Sequence, residues 1–336
     1  MSDTLSGFIE KVGNSIDLEL EKVVDGILPY KNSELKEIFR YHLELGEKEG
    51  RQGKRIRPLL TLLCAEGAGA NWKSAIPAAA AIELVHNFSL IHDDIEDKGE
   101  SRRGKVAVWR KWGLSKGLNA GDAMFSAAFA ELNRINNTKK PLLNWEATKL
   151  LSKTCLDLTE GQQLDIDFES RDKVTKSDYF LMIEGKTAAL IACCARMGAL
   201  IGGLDEEDQE KYSMFGKHLG IAFQIYDDWL GIWGDPSTTG KSSSSDLIER
   251  KKSLPVVRGL ENSKRFMKRW DSGSITESDA EIISRWLIED GIKEMVETEY
   301  HLWTEKALDD LKKLTCKNEI LSMLEELTYK LLTRVN

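Results

Sequence analysis

The chain is poor in the residues that break helices, with only 6 prolines in 336 positions. Long stretches are therefore free to be helical. Its five cysteines, Cys64, Cys155, Cys193, Cys194 and Cys316, form no CxxC pair. A bridge between the adjacent Cys193 and Cys194 would be strained, so a reduced, cytoplasmic setting is expected. Positive charge is also in deficit: 47 Lys and Arg against 55 Asp and Glu leave a net charge of −8. No basic field exists to draw in nucleic acid or an anionic membrane, and an anionic substrate would need local cations.

The first twenty residues alternate charge and apolarity at helical spacing, without the apolar run and cleavage site of a secretory signal. The closest approach to a membrane span is read at Thr187 to Leu204, which is interrupted by Arg196 and built from Ala, Gly and Cys. That segment is expected to be a buried core helix, with no transmembrane segment in the chain. No internal repeat is visible. The one low-complexity stretch, Ser242 to Ser245, follows GDPSTTGK and reads as a loop rather than a domain linker.

What is present is helical periodicity. A composition of 41% hydrophobic and 30% charged residues is globular. Apolar residues recur every three and four positions over 5–28, 33–48, 57–68, 74–96, 114–136, 142–170, 175–202 and 207–232, then in shorter segments. Alternating strand patterns are scarce, so the fold class is all-α, read as a single domain over 1–336. The helices at 74–96 and 207–232 are rich in Ala, Ile and Leu and end in acid, which points to central helices with polar chemistry at one end.

The first acidic end is LIHDDIEDKGESRRG. Asp93 and Asp97, four apart, are neighbours on a helix face and able to share divalent ions. At about 100° per residue, His86 falls about 20° from Asp93, while Asp94 lies about 100° round and either binds metal or steadies a ligand. The second end, FQIYDDWLGIWGD, supplies Asp227 and Asp228, with Asp235 beyond. Carboxylate rows meeting at the mouth of one cleft would repel when empty. Magnesium suits such a site, since it accepts a few carboxylates and completes its octahedron with water and phosphate.

Cations occupy matching places. GRQGKRIRP sets Lys54, Arg55 and Arg57 at a helix start, with Pro58 in the first turn, an arrangement that can hold phosphate. Arg102 and Arg103 follow the first acids and offer planar forks for diphosphate oxygens. Lys186 opens the apolar run KTAALIACC and needs water, a carboxylate or a ligand. Lys241 lies in the GDPSTTGK loop and could fold over an anion. Two acid rows and two groups of cations describe a site for two diphosphates, one gripped through metal and one by basic side chains.

The ordered strings GKRIRP, LIHDDIED, RRG, GQQLD, KTA, FQIYDDWLG and TGK, from about Gly53 to Pro255, closely resemble those of the trans-isoprenyl diphosphate synthases. The resemblance implies an antiparallel helix bundle around a deep cavity, usually a homodimer, that condenses an allylic diphosphate with isopentenyl diphosphate. It implies three magnesium ions: two held by Asp93 and Asp97 with Asp94 beside them, the third by Asp227 with Asp228 nearby. Arg102, Lys186 and Lys241 would contact the allylic diphosphate, and Lys54, Arg57, His86 and Arg103 the isopentenyl diphosphate. Thr187 and Gln224 would lie along the developing cation, and Gln162 and Asp165 would support the metal site.

Three departures stand out. Gly231 occupies the place of a third Asp in the second motif; Val106, Ala107, Val108 and Trp109 replace PTxH after RRG; and GKSSSSD lacks the proline often found after GK. The second predicts altered packing rather than lost chemistry. In the family, the residues four and five before the first acids often floor the cavity, and here they are Ser89 and Phe88. A bulky residue behind a small one resembles the geranylgeranyl, twenty-carbon pattern, although an ideal wheel sets Phe88 about 140° from Asp93. Shorter or longer products stay open, as does a class I terpene synthase or lyase on the same fold. A non-catalytic partner subunit is disfavoured by the intact DDIED and RRG.

Overall fold

The structure, a computed structural model, describes residues 4–27, 33–46, 55–135, 142–235 and 244–333. Helices dominate: α1 (Leu5–Ile27), α2 (Glu34–His42), α3 (Ile56–Gly67), α4 (Ile76–Glu96), α5 (Val108–Trp112), α6 (Leu114–Leu132), α7 (Leu143–Ser170), α8 (Lys176–Ile183), α9 (Ala189–Gly202) and α10 (Glu206–Trp233). Six shorter or more polar helices follow, between Ser245 and Thr333. The strands among the described residues are β1 (Ser101–Arg102) and β2 (Lys105–Val106), paired antiparallel. The all-α expectation holds, and most helical windows read from periodicity fall within a few residues of the helices, whereas 33–48 overruns α2 and ends outside the described residues.

Two compact units divide the chain. The first comprises 1–155, 193–213 and 314–327, and the second 156–192, 214–313 and 328–336. In the first, α4 is the central element. Its Ala78, Ala79, Ala80 and Ala81 are buried together with Ile82, Leu84 and Val85. Small side chains let α6 pack along it, and each fully buried Leu, Ile or Val contributes about 1.5–3 kcal/mol. Pro77 sits in the first turn, where its missing N–H costs no helical bond.

The helix that starts at Trp72 and runs to Glu96 is long and apolar enough to cross a membrane by length and composition, with 61% of its most apolar window buried. This corrects the reading of Thr187 to Leu204 as the closest approach to a span. The Thr187 to Leu204 segment ends a continuous helical run over 176–202, and that run, among the described residues, does not reach the same apolarity.

The second unit is built around Phe168, Tyr179, Ile225, Ile232, Leu254, Phe266, Ile283 and Leu287, all buried. Its helix starts are fixed locally. Thr175 with Asp178 and Thr276 with Asp279 form capping boxes, each satisfying two otherwise orphaned backbone donors.

Candidate active site

The apolar core of α4 delivers an acidic end. Helical bonding stops at Asp97, whose N–H still donates to the Asp93 carbonyl at 2.8 Å, so the two acids stay one turn apart. Next comes the β1–β2 hairpin, with Arg102 opposite Lys105 in register. Its two-residue loop is Arg103 and Gly104, at φ of 52° and 74°, the backbone sign that tight hairpins require. Glycine adopts it freely, whereas for Arg103 it costs about 1 kcal/mol.

The hairpin seats Arg102 on the acids. Its Nε donates to both Asp94 oxygens at 2.8 and 2.9 Å, and its Nη2 reaches Asp93 Oδ2 at 3.3 Å. Burial disfavours the Arg102 charge, but Asp94, Asp93 and Asp97 outweigh it and hold the guanidinium above its usual value. Trp109, which stands where PTxH was expected, donates its indole N–H to the Gly99 carbonyl at 2.7 Å and closes the base of the hairpin.

Beside the hairpin lies a small, open pocket lined by Tyr41, His42, Glu44, Arg102, Arg103 and Lys105 among others. Burial pushes the His42 imidazole down to about 3, and Arg103, Arg102 and Arg55 push the same way. His86 is likewise driven well below the usual histidine range, by burial first and then by Arg57, Arg103 and Arg102. Arg57 Nη1 lies 3.1 Å from His86 Nε2, and its Nε is buried with no hydrogen-bond partner among the described residues. Arg57, His86 and Arg103 are thus brought into mutual influence, with two neutral imidazoles among arginines. The buried Glu44 carboxylate lies 3.4 Å from Arg103 and 3.9 Å from Lys105, so part of this positive charge is already matched within the fold.

In the second unit, α7 meets the α8–α9 segment at two glycines. A Cβ on Gly161 would stand 2.0 Å from the Lys186 backbone nitrogen, and one on Gly185 would stand 2.6 Å from the Asp157 carbonyl oxygen. Only glycine permits that approach. One turn past Gly161, Asp165 forms an ion pair with Lys186, which supplies the carboxylate that this lysine was expected to need. Lys186 and Thr187 belong to a π-helical turn, Glu184–Ala188, set between α8 and α9. Such turns recur at functional sites.

Thr187 Oγ1 donates to Gln224 Oε1 at 2.7 Å, and Gln224 Nε2 donates to Asp228 Oδ1 at 2.8 Å. The other Asp228 oxygen accepts from the Tyr179 hydroxyl at 2.7 Å and the Leu254 N–H at 2.9 Å. Asp228 is buried and fully engaged, whereas Asp227 beside it is half-buried.

Several residues of this second cluster escaped the sequence reading. Lys251 stands among Asp246, Asp228, Asp165 and Asp227; burial would strip its proton, yet those charges hold it above an ordinary lysine. Tyr179 stays protonated because burial, and then Asp228, raise its pKa. At Gly231, a Cβ would come within 2.6 Å of the Asp246 carboxyl carbon. The departure from the third-Asp pattern therefore makes room for a carboxylate contributed from elsewhere in the chain. The only hint in the sequence is that Asp246 precedes, and Lys251 lies within, a basic segment that leads into a helix, LIERKKSLP.

Lys54 and Lys241 lie outside the described residues. Phe88, half-buried on α4, meets Phe125 of α6 edge-on with ring centroids 5.0 Å apart, and Phe125 meets Phe129 at 5.1 Å. Ser89 turns its hydroxyl back to the His86 carbonyl at 2.8 Å. The aromatic ladder is a feature that Phe88 alone did not announce. Trp112 packs edge-on against Tyr41 at 4.9 Å, Trp229 donates to Glu297 at 3.2 Å and Trp233 to the Ser284 carbonyl at 3.4 Å, so each is held within the protein.

Among the described residues no three His, Cys, Asp or Glu side chains gather into a ready-made metal cage. Magnesium does not require one, because it binds through one or two carboxylates and takes its remaining ligands from water and substrate phosphate. Asp93 and Asp97, all-oxygen donors one turn apart, fit that ion.

Comparisons with known proteins identify the family. The family model described as Polyprenyl synthetase matches residues 32–283. The chain is 41% identical over 273 residues to a geranylgeranyl diphosphate synthase of Methanosarcina mazei, covering 81% of this chain and 82% of that one. It is also 41% identical over 274 residues to a (2E,6E)-farnesyl diphosphate synthase of Mycobacterium bovis, covering 78% and 74%. A crystal structure of geranylgeranyl pyrophosphate synthetase from Pyrococcus horikoshii superposes with a TM-score of 0.89 at 33% identity, covering 98% of this chain and 97% of that one. That family generally works with divalent metal ions on allylic and isopentenyl diphosphates. A family match over three quarters of the chain and relatives 41% identical across most of it show that the chain belongs to the polyprenyl synthetase family of isoprenyl diphosphate synthases and is a prenyltransferase.

Proposed function

We propose that the chain condenses an allylic diphosphate head-to-tail with isopentenyl diphosphate to give geranylgeranyl diphosphate, acting over 1–336 as one catalytic domain and as a homodimer. One observation supports the reading: within one unit, Arg102 is forked onto the α4 acids and also lines a pocket with Arg103, Lys105, His42 and Glu44, while Arg57 and His86 stand 3.1 Å apart nearby in the chain fold. A lyase or terpene cyclase needs one diphosphate site. A synthase needs two.

In this reading Asp93, Asp97 and Asp227 hold three magnesium ions, with Asp94 kept in place by Arg102. The metal supplies charge stabilisation to the departing diphosphate. Arg102 and Lys186, with Lys241, bind the allylic diphosphate and offset the charge that grows on it. Arg57, His86 and Arg103, with Lys54, orient the isopentenyl diphosphate so that its double bond faces the allylic carbon. Thr187 and Gln224 line the developing cation. Loss of a proton to the departed diphosphate completes the reaction.

Purified chain given magnesium and each allylic primer in turn should form longer prenyl diphosphates only when isopentenyl diphosphate is added. Consumption of primer alone would establish a lyase instead. The relatives do not choose the product, since the geranylgeranyl and farnesyl enzymes are equally identical to this chain. Phe88 favours the twenty-carbon product, because its ring against Phe125 closes space beside α4. Phe88→Ala is expected to shift the dephosphorylated products to longer prenols on chromatography. An unchanged product would assign the limit to another residue, and the fifteen-carbon alternative would follow if the wild type stops at farnesyl.

A further inference from the structure

We infer that Asp228 is a positioning residue rather than a metal ligand, and that it sets the polarity with which the Thr187 hydroxyl meets the allylic cation. The inference rests on the prenyl-transfer function proposed above and adds to it the residue that orients the cation-facing dipoles.

The argument follows the donors. The Leu254 N–H can only donate, and it lies 2.9 Å from Asp228 Oδ2, which also accepts from Tyr179 at 2.7 Å. The remaining oxygen, Oδ1, receives the amide N–H of Gln224 at 2.8 Å. A carboxylate only accepts, so the Gln224 amide must turn its nitrogen to Asp228 and its oxygen to Thr187. Thr187 therefore donates its one proton to Gln224, at 2.7 Å. Its oxygen lone pairs are what remain for a cation. A reversed amide would place a hydrogen bond on the Thr187 oxygen and leave the hydroxyl proton facing outward, the wrong end of the dipole for a positive carbon. With three hydrogen bonds on its two oxygens inside a buried site, Asp228 is poorly placed to bind metal as well.

Asp228→Asn tests this. The Leu254 N–H holds the asparagine oxygen, so the new amide nitrogen faces Gln224 and reverses it. The expected result is a kcat about 10²-fold lower, the scale of a dipole misdirected at developing charge. KM for both diphosphates and the magnesium concentration for half-maximal rate should stay where they are. Adding Gln224→Glu restores an acceptor toward both the introduced amide and Thr187, and the double variant should recover about tenfold of the lost kcat. Tyr179→Phe, which removes one donor at the far side of Asp228, covers the case in which Asp228→Asn does not fold; its kcat should fall about threefold.

Four results would overturn the inference: an Asp228→Asn kcat within about twofold of wild type, a raised magnesium requirement, no recovery in the double variant, or an unchanged Tyr179→Phe. A wild type with no turnover in the same assay would count instead against the prenyl-transfer reading.

Discussion

Replacing Asp93 by asparagine should lower turnover by at least about 10³-fold, the cost of about 4 kcal/mol of lost stabilisation of the leaving diphosphate. The substitution keeps the size of the side chain and removes its charge. It should leave the fold intact, because Asp93 sits at the acidic end of α4 and its contact with Arg102 is a long one, 3.3 Å, from a guanidinium whose main partner is Asp94. Steady-state product formation read beside a thermal unfolding curve separates the two effects. Turnover near the wild-type level would remove Asp93 from the metal site and leave the α4 acids as a surface feature. Added magnesium should recover part of the loss, since a weakened site fills at higher ion concentration.

Gly161→Ala should have the largest effect on stability. In a solvent-facing helix the change would help by about 1 kcal/mol, because alanine is the better helix former. Here the added carbon would stand 2.0 Å from the Lys186 nitrogen, and the obstruction is backbone rather than the end of a flexible side chain. Separating the two helices would also pull Asp165 from Lys186 and disturb the π turn that carries Thr187. Overpacking of this kind costs about 3 kcal/mol or more, which reverses the sign set by helix propensity. A denaturant midpoint below that of the wild type is expected, with kcat reduced in whatever fraction remains folded. A midpoint at or above the wild-type value would show that the crossing is looser than the structure has it.

Much of this architecture is legible in the sequence because helices write their burial into a 3.6-residue period. The acid-tipped α4 and α10 were readable for the same reason: LVHNFSLIH and GIAFQIY are core-like up to the point where the aspartates begin. The β1–β2 hairpin left no such trace, since strands of two residues are too short to show alternation. Nor does a one-turn π segment change the spacing of apolar residues enough to be noticed. The two aspartates of DDWLG look equivalent on paper. They differ in the fold because Asp228 faces Tyr179 and Leu254, distant in the chain by 49 and 26 residues, and no local pattern encodes such partners. Lys251 and Asp246 were missed for a related reason. In a tail rich in charge, nothing marks which lysine will be enclosed by carboxylates and which will face water.

The motif GKRIRP holds a division of labour that its letters conceal. Arg55 is buried and commits its guanidinium to architecture: Nε reaches Asp17 of α1 at 3.0 Å, Nη1 reaches Glu83 of α4 at 2.9 Å, and Nη2 donates to the Leu43 carbonyl just past α2 at 2.6 Å. Its charge is largely matched by those two carboxylates. What it supplies is an anchor two residues before Arg57, a rivet that fixes where the working arginine can stand. Electrostatic attraction in this corner therefore depends less on how many basic letters the segment carries than on which of them the interior has already claimed.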